Sequence, residues 1–264
     1  MENIKKLREQ TGAGMIDCKK ALEESGGDIE SAVEILRKKG ISKASKRADK
    51  EANEGVIKVA VNSDGNEGYI LQLNSETDFV AKNEEFQKTA NSIMETIKEN
   101  RPQNMEELLS LPLDEGTVND KIDNLSGIIK EKIVLTKYEI LQSPTVGAYS
   151  HMNGSIGVLV GLDTEGKDEL AKDLAMHIAA ANPQYLKPED VPQEDIEKEK
   201  NIHREQLKQE NKPEEIVERI IEGKLNKYYE ENCLLKQEFI KDEEKKIEDL
   251  LNGVKVNKFI RYRL

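Results

Sequence analysis

The chain has 264 residues, with 35% charged, 36% apolar, no Trp and a net charge of −12. That length allows two or three domains, and the acid excess argues against a general nucleic-acid binder, which needs clustered cations. The first 54 residues carry 12 Lys or Arg against 11 Asp or Glu, so the surplus acid lies in the rest. No apolar run reaches the roughly 18 residues of a bilayer span. The start, "MENIKKLREQ", lacks the apolar core of a secretory leader. Two cysteines, Cys18 and Cys233, stand far apart without a CxxC, which fits a reducing cytosol. A cytoplasmic location is expected.

Residues 1–40 read as three short helices. "IKKLREQ" is broken by "TGAG". "MIDCKKALEES" spaces Met15, Cys18 and Leu22 at i, i+3, i+7, the period of a buried helix face. After "GGD", Asp28 is placed to cap "IESAVEILRKKG", whose apolar face is Ile29, Ala32, Val33 and Leu36 and whose end is Gly40. So small a bundle has little core, and suits docking better than chemistry. Residues 41–54 are polar and Lys/Ala-rich and read as a linker.

Residues 55–142 form a first α+β unit. "GVIKVAV" and "YILQLN" alternate about a Gly/Asn/Asp turn, the signature of a hairpin. Asn83 then caps a helix with Phe86, Ala90, Ile93, Met94 and Ile97 on one face. A short helix in "RPQNMEELLSLP", a helix "VNDKIDNLSGIIKEK" and a strand "IVLTKYEIL" follow.

Residues 143–264 repeat that grammar. "VGAYSH" and "IGVLVGL" flank the turn "MNGS", and "DELAKDLAMHIAAAN" places Leu170, Leu174, His177 and Ile178 on one stripe. "EEKKIEDLLNG" reads as a helix and "VKVNKFIRYRL" as a closing strand. "TKYEIL" resembles "NKFIRY", and "GYILQLNSET" resembles "GVLVGLDTEG". The expected fold is therefore α+β: a duplicated core of small antiparallel sheets with helices, after an N-terminal three-helix module. About residues 188–232 lie two charged helical segments broken by "ENKP". Their thin apolar seam, Ile196, Ile202, Leu207, Ile216, Ile220 and Leu225, suggests an antiparallel coiled-coil arm.

Catalytic constellations are missing. No G-x-x-x-x-G-K-[ST] phosphate loop occurs. His151, His177 and His203 lack ligand spacing, so no metal or cofactor is expected. Cys18 lies on an apolar stripe, where a structural thiol is the default over a nucleophile. What stands out is Phe79 in "NSETDFVAKNEEF", between a strand and a capped helix. Either it folds back onto Phe86 or the sheet, or it is an exposed finger beside a carboxylate, aimed at another protein.

"LREQTGAGMIDCKKALEESGGDIESAVEILRKKG" together with "LNSETDFVAKNEEF" closely resembles the elongation factor Ts family, as do "HIAAANPQYL" and "NCLLKQEFIKD". The resemblance runs almost end to end. It implies a nucleotide-exchange factor for the GTPase elongation factor Tu, acting by protein–protein binding and not as an enzyme on a substrate. It implies a ubiquitin-associated-like N-terminal module and a coiled-coil insertion. Thr77, Asp78, Phe79 and Val80 match the family's intruding motif. Arg8, Met15, Ile16 and Lys19 match its docking stretch, and His151 matches a contact of the second core unit with another domain of the partner. A complex of higher order with the partner is open. Lys236, Glu238 and Ser155 depart from the family's pattern. The alternative is an adapter that binds peptides or ubiquitin-like partners through the three-helix module.

Overall fold

The computed structural model describes residues 2–11, 13–45, 49–208 and 213–264. The N-terminal module is α1 (Glu2–Thr11), α2 (Met15–Glu24) and α3 (Ile29–Ser45). Asp28 accepts the Ser31 N–H at 2.8 Å and starts α3 as a side-chain cap. Leu7, Cys18, Ala21, Leu22, Ala32 and Leu36 form the module's core. Burial pushes the Cys18 thiol pKa up, the opposite of what a nucleophile needs. Two expectations are corrected here. Met15 is 60% exposed, so it does not share the buried stripe of Cys18 and Leu22. Gly40 does not end α3, which runs on to Ser45 through residues expected to be a linker; residues 46–48 lie outside those described.

The first core unit opens with the antiparallel hairpin β1 (Glu54–Val61) and β2 (Glu67–Ser75). Next come α4 (Asp78–Ala81), α5 (Glu84–Asn100) and α6 (Met105–Ser110). A two-residue ladder of β3 (Pro112–Leu113) with β4 (Gly116–Thr117) precedes α7 (Val118–Ile129) and β5 (Ile133–Gln142). The second unit holds β6 (Thr145–His151), β7 (Ile156–Leu162) and α8 (Asp168–Ala181). Then follow α9 (Gln193–Lys208), α10 (Glu214–Asn232), β8 (Glu238–Phe239), β9 (Asp242–Lys246), α11 (Ile247–Leu251) and β10 (Val256–Arg263).

The two sheets have the same plan. Each is a hairpin whose second strand takes a later, returning strand on its other side, giving β1-β2-β5 and β6-β7-β10. Strand alternation sorts the side chains into layers. Tyr69, Leu71 and Leu73 point to the helical side with Phe86, Ile93 and Ile97 of α5. Val158, Val160 and Leu162 likewise meet Leu174 and Ile178 of α8. The opposite faces meet each other through Ile57, Ile70, Leu141, Val146, Leu159, Ile260 and Tyr262. The layers are thus helix, sheet, sheet, helix, and β2 is buried along its whole length. Gly157 permits this approach: a Cβ there would stand 2.4 Å from Ile57 Cγ2. Among the described residues no helix is long and apolar enough to cross a membrane.

Two further readings change. The helix expected at "EEKKIEDLLNG" begins only at Ile247. Residues 242–246 carry no apolar anchor and pair with β8 instead; Ile247 is the first fully buried side chain. In the helix pair α9–α10, Arg204 binds Glu218 at 3.1 Å. Leu207 and Ile221 are buried, while Ile202 and Ile216 are 42% and 46% exposed. Val217, Ile220, Leu225 and Tyr228 are half-buried along α10, so of the expected seam Ile216 drops out and Ile221 joins it. Most of the intervening turn lies outside the described residues.

His177 is fully buried against Phe239. The Ile240 N–H donates to Nδ1 at 3.4 Å, so Nε2 carries the proton and donates to Gln237 Oε1 at 2.9 Å. Burial pushes its pKa below the ordinary histidine value, with the Gln237 bond opposing in part. In the unfolded chain the ring takes up a proton near pH 6.5; the fold resists that proton. Its contribution to stability is therefore complete above about pH 6.5 and is lost as pH falls through the lower folded value. Urea melts between about pH 7.5 and about pH 5.5, with the His177 ring followed by NMR, should show stability falling while the ring stays neutral below the usual midpoint. A ring titrating at the ordinary value would contradict this.

Candidate functional site

Phe79 is 81% exposed, the most exposed large apolar side chain among the described residues. An exposed phenylalanine forgoes roughly 1.5–3 kcal/mol of burial, and its surroundings show that the exposure is built in. β2 ends at Ser75, whose hydroxyl donates to the Thr77 carbonyl at 2.9 Å. The Thr77 N–H donates to Glu131 Oε2 at 3.0 Å, and its hydroxyl to Oε1 at 2.9 Å. Glu76 Oε1 accepts the Lys132 N–H at 2.6 Å. Residues 75–77 are thereby fastened to the segment between α7 and β5.

Beyond this staple the chain makes the single turn α4. Val80 and Ala81 turn inward, 7% and 9% exposed, into the core formed with α5. The Asn83 N–H donates to the Val80 carbonyl at 2.9 Å, and Gln87 Nε2 to the Ala81 carbonyl at 2.6 Å. Asn83 then caps α5 by accepting the Glu85 and Phe86 N–H groups. With the next two residues, Val80 and Ala81, buried on one side of the helical turn, Phe79 is turned outward. The connection between the strand and the capped helix thus contains a helical turn. Val80 anchors the turn from inside.

Asp78 pairs with Lys82 at 2.6 Å, and the Lys82 hydrogen bond holds its carboxyl below the ordinary range, aided by nearby backbone N–H groups. The pair is exposed, so its role in stability is small; it keeps the Asp78 carboxylate ionised beside the ring, balanced by Lys82.

The other residues singled out lie on two separate surfaces. Met15, Ile16 and Lys19 sit on the outward face of α2, opposite Cys18 and Leu22, with Ile16 72% exposed. Arg8 is exposed on neighbouring α1. His151 ends β6, stacked on Tyr149 at 5.8 Å with the Tyr149 hydroxyl 3.1 Å from Nδ1. The next residue, Met152, was missed by sequence reasoning. It is 69% exposed at the tip of the β6–β7 hairpin, with φ +48°. A methionine inside a Gly/Asn turn has no strand face to enter, and that was the available signal. Among the described residues no three His, Cys, Asp or Glu side chains gather as for a metal.

The Glu131 staple can be tested directly. Glu131→Ala should cost about 1–3 kcal/mol by stranding the Thr77 groups. It should also speed hydrogen exchange at the amides of Thr77–Ala81 more than at α5. Unchanged exchange there would mean that Val80 and Ala81 alone fix the turn.

Comparison with known proteins follows the same lines. The family model described as Elongation factor TS matches residues 76–264, which includes the turn bearing Phe79. A protein named Elongation factor Ts from Halothermothrix orenii is 46% identical; the alignment takes in all of this chain and 91% of that relative. The sequence motifs, the doubled sheet and both comparisons agree: the chain belongs to the elongation factor Ts family.

Proposed function

We propose that the protein speeds GDP release from elongation factor Tu by pressing Phe79 into the GTPase. The observation that carries this reading is a phenylalanine 81% exposed on a turn held by buried neighbours. On the family's pattern, Phe79 enters between helices of the GTPase domain near switch II, and Asp78 holds the displaced segment. Thr77 and Val80 shape the turn from within. The partner's Mg²⁺ offsets phosphate charge, so disturbing its surroundings weakens GDP. Nothing in the factor itself need bind the nucleotide.

Linkage supplies the energetics. A factor that binds the nucleotide-free GTPase more tightly weakens nucleotide by the same factor. A buried aromatic anchor contributes about 2–4 kcal/mol at a hot spot, and each 1.4 kcal/mol is about tenfold in affinity. One ring and a disturbed ion site are enough for acceleration by orders of magnitude. Arg8, Met15, Ile16 and Lys19 would dock the module, of ubiquitin-associated type, on a second face of the GTPase domain. His151 would meet another domain of the partner. The helix pair α9–α10 would be the family's coiled-coil arm. The adapter reading accounts for the Met15–Ile16 patch but gives Phe79 no purpose.

Release of fluorescent GDP from elongation factor Tu tests the proposal. The wild-type chain should speed it, and Phe79→Ala should lower kcat/KM at least about tenfold. Because the ring is exposed, the variant's melting temperature should not move. Full exchange by a folded Phe79→Ala protein would sink the wedge.

A further inference from the structure

The module and the core touch where α3 crosses α7, and the crossing is unusually close. A Cβ built on Gly127 of α7 would stand 2.4 Å from Gly40 Cα and 2.9 Å from the Gly40 carbonyl oxygen. The reverse is not true: a Cβ on Gly40 would meet Asn124 Oδ1 at 3.5 Å, an ordinary contact. Bare backbone is therefore demanded on one side only. Beside the crossing, Arg37 Nη2 binds Asp120 Oδ2 at 2.7 Å and Nη1 donates to the Glu115 carbonyl at 3.3 Å. Asp120 also closes the capping box that starts α7 with Thr117. The ion pair is thus tied to the end of a core helix, not to a loose loop.

We infer that the α3–α7 crossing is a positioning device, with Gly127 and Arg37 as its positioning residues. It holds the Met15–Ile16 face of the module at a fixed offset from Phe79. The inference rests on the exchange-factor reading and adds to it. The partner then meets the two surfaces as one rigid ligand. With the crossing broken, the module becomes a tethered second binder that must be ordered at each encounter. That cost falls on capture of the partner, and the wedge step after capture is untouched.

The test uses the full chain with Gly127→Ala, Gly40→Ala and Arg37→Glu. Alanine in place of a mid-helix glycine favours the helix itself. Loss from Gly127→Ala therefore cannot come from helix propensity. Two readouts are taken: ¹⁵N relaxation of residues 2–40, and steady-state GDP exchange on elongation factor Tu. In Gly127→Ala the module should tumble separately from the core. Its KM for the partner should rise about tenfold, with kcat within about twofold of wild type. Arg37→Glu should shift both readouts in the same direction by less, and it decides the matter if Gly127→Ala does not fold. Gly40→Ala should match wild type in both.

A module that stays rigid in Gly127→Ala overturns the inference. So does a freed module with unchanged KM, or a fall in kcat alone. A wild-type chain without exchange activity would remove the exchange reading and this one together. An active wild type with an unaffected variant removes only this one.

Discussion

The inner faces of the two sheets meet as side chain against bare backbone, Ile57 against Gly157 and Val146 with Leu159 against Gly68. Neither three-stranded sheet could cover both its faces with its own helices. Each has helices on one side and needs the other sheet on the second. This contact makes β2 a fully buried central strand. Because β2 cannot shift, the residues leaving it cannot either. The turn bearing Phe79 begins three residues past its end, so the exposed ring is attached to the most constrained strand of the first sheet.

Such an attachment matters on the proposed reading, in which Phe79 must deform a partner. A ring on a pliant loop would yield before the partner's helices did, and its binding energy would be spent ordering the loop. Here the ordering is done in advance. Glu131 takes both polar groups of Thr77, and Val80 with Ala81 fill the core. Charge is handled in the same manner elsewhere in this sheet. Glu67 is buried yet accepts hydrogen bonds from Tyr69, Gln142 and Arg101. Desolvation raises its pKa, but those bonds bring it net below the ordinary value, so the fold keeps it as a bound carboxylate.

Much of this was legible in the sequence because it depends on local period. The hairpins, the Asn83 and Asp28 caps and the five-residue face of α5 need only alternation, 3.6-residue spacing and capping chemistry. The doubled strand pattern also showed at the level of short matching segments. Contacts made at a distance were not legible. Gly40 looks like a helix stop to any local rule, and only Gly127, 87 positions later, shows that it is a crossing point. The seam of α10 was misread in part, since Ile216 and Ile221 are alike in sequence and only the packing leaves one exposed and buries the other. Phe79 was equally consistent with folding back or standing out. The choice was made by Val80 and Ala81 being buried, a fact of packing and not of pattern. Met152 escaped because a turn was read for its glycine and asparagine alone.

The distribution of exposed apolar side chains fits a partner that must be released. An exchange factor on this reading passes through a tight nucleotide-free complex and leaves when a new nucleotide binds. Linkage makes the two events reciprocal. A broad apolar interface would stabilise every state of the partner alike, and uniform affinity shifts no equilibrium. Small, separated contacts on a stiff frame avoid this. A ring at Phe79, a Met15–Ile16 pair on α2 and Met152 at the hairpin tip beside half-buried His151 are exposed at separate places. Each can engage fully only when the partner's surfaces stand in one relative arrangement. The stiffness of the frame, more than the area of contact, is then what separates the nucleotide-free state from the loaded one.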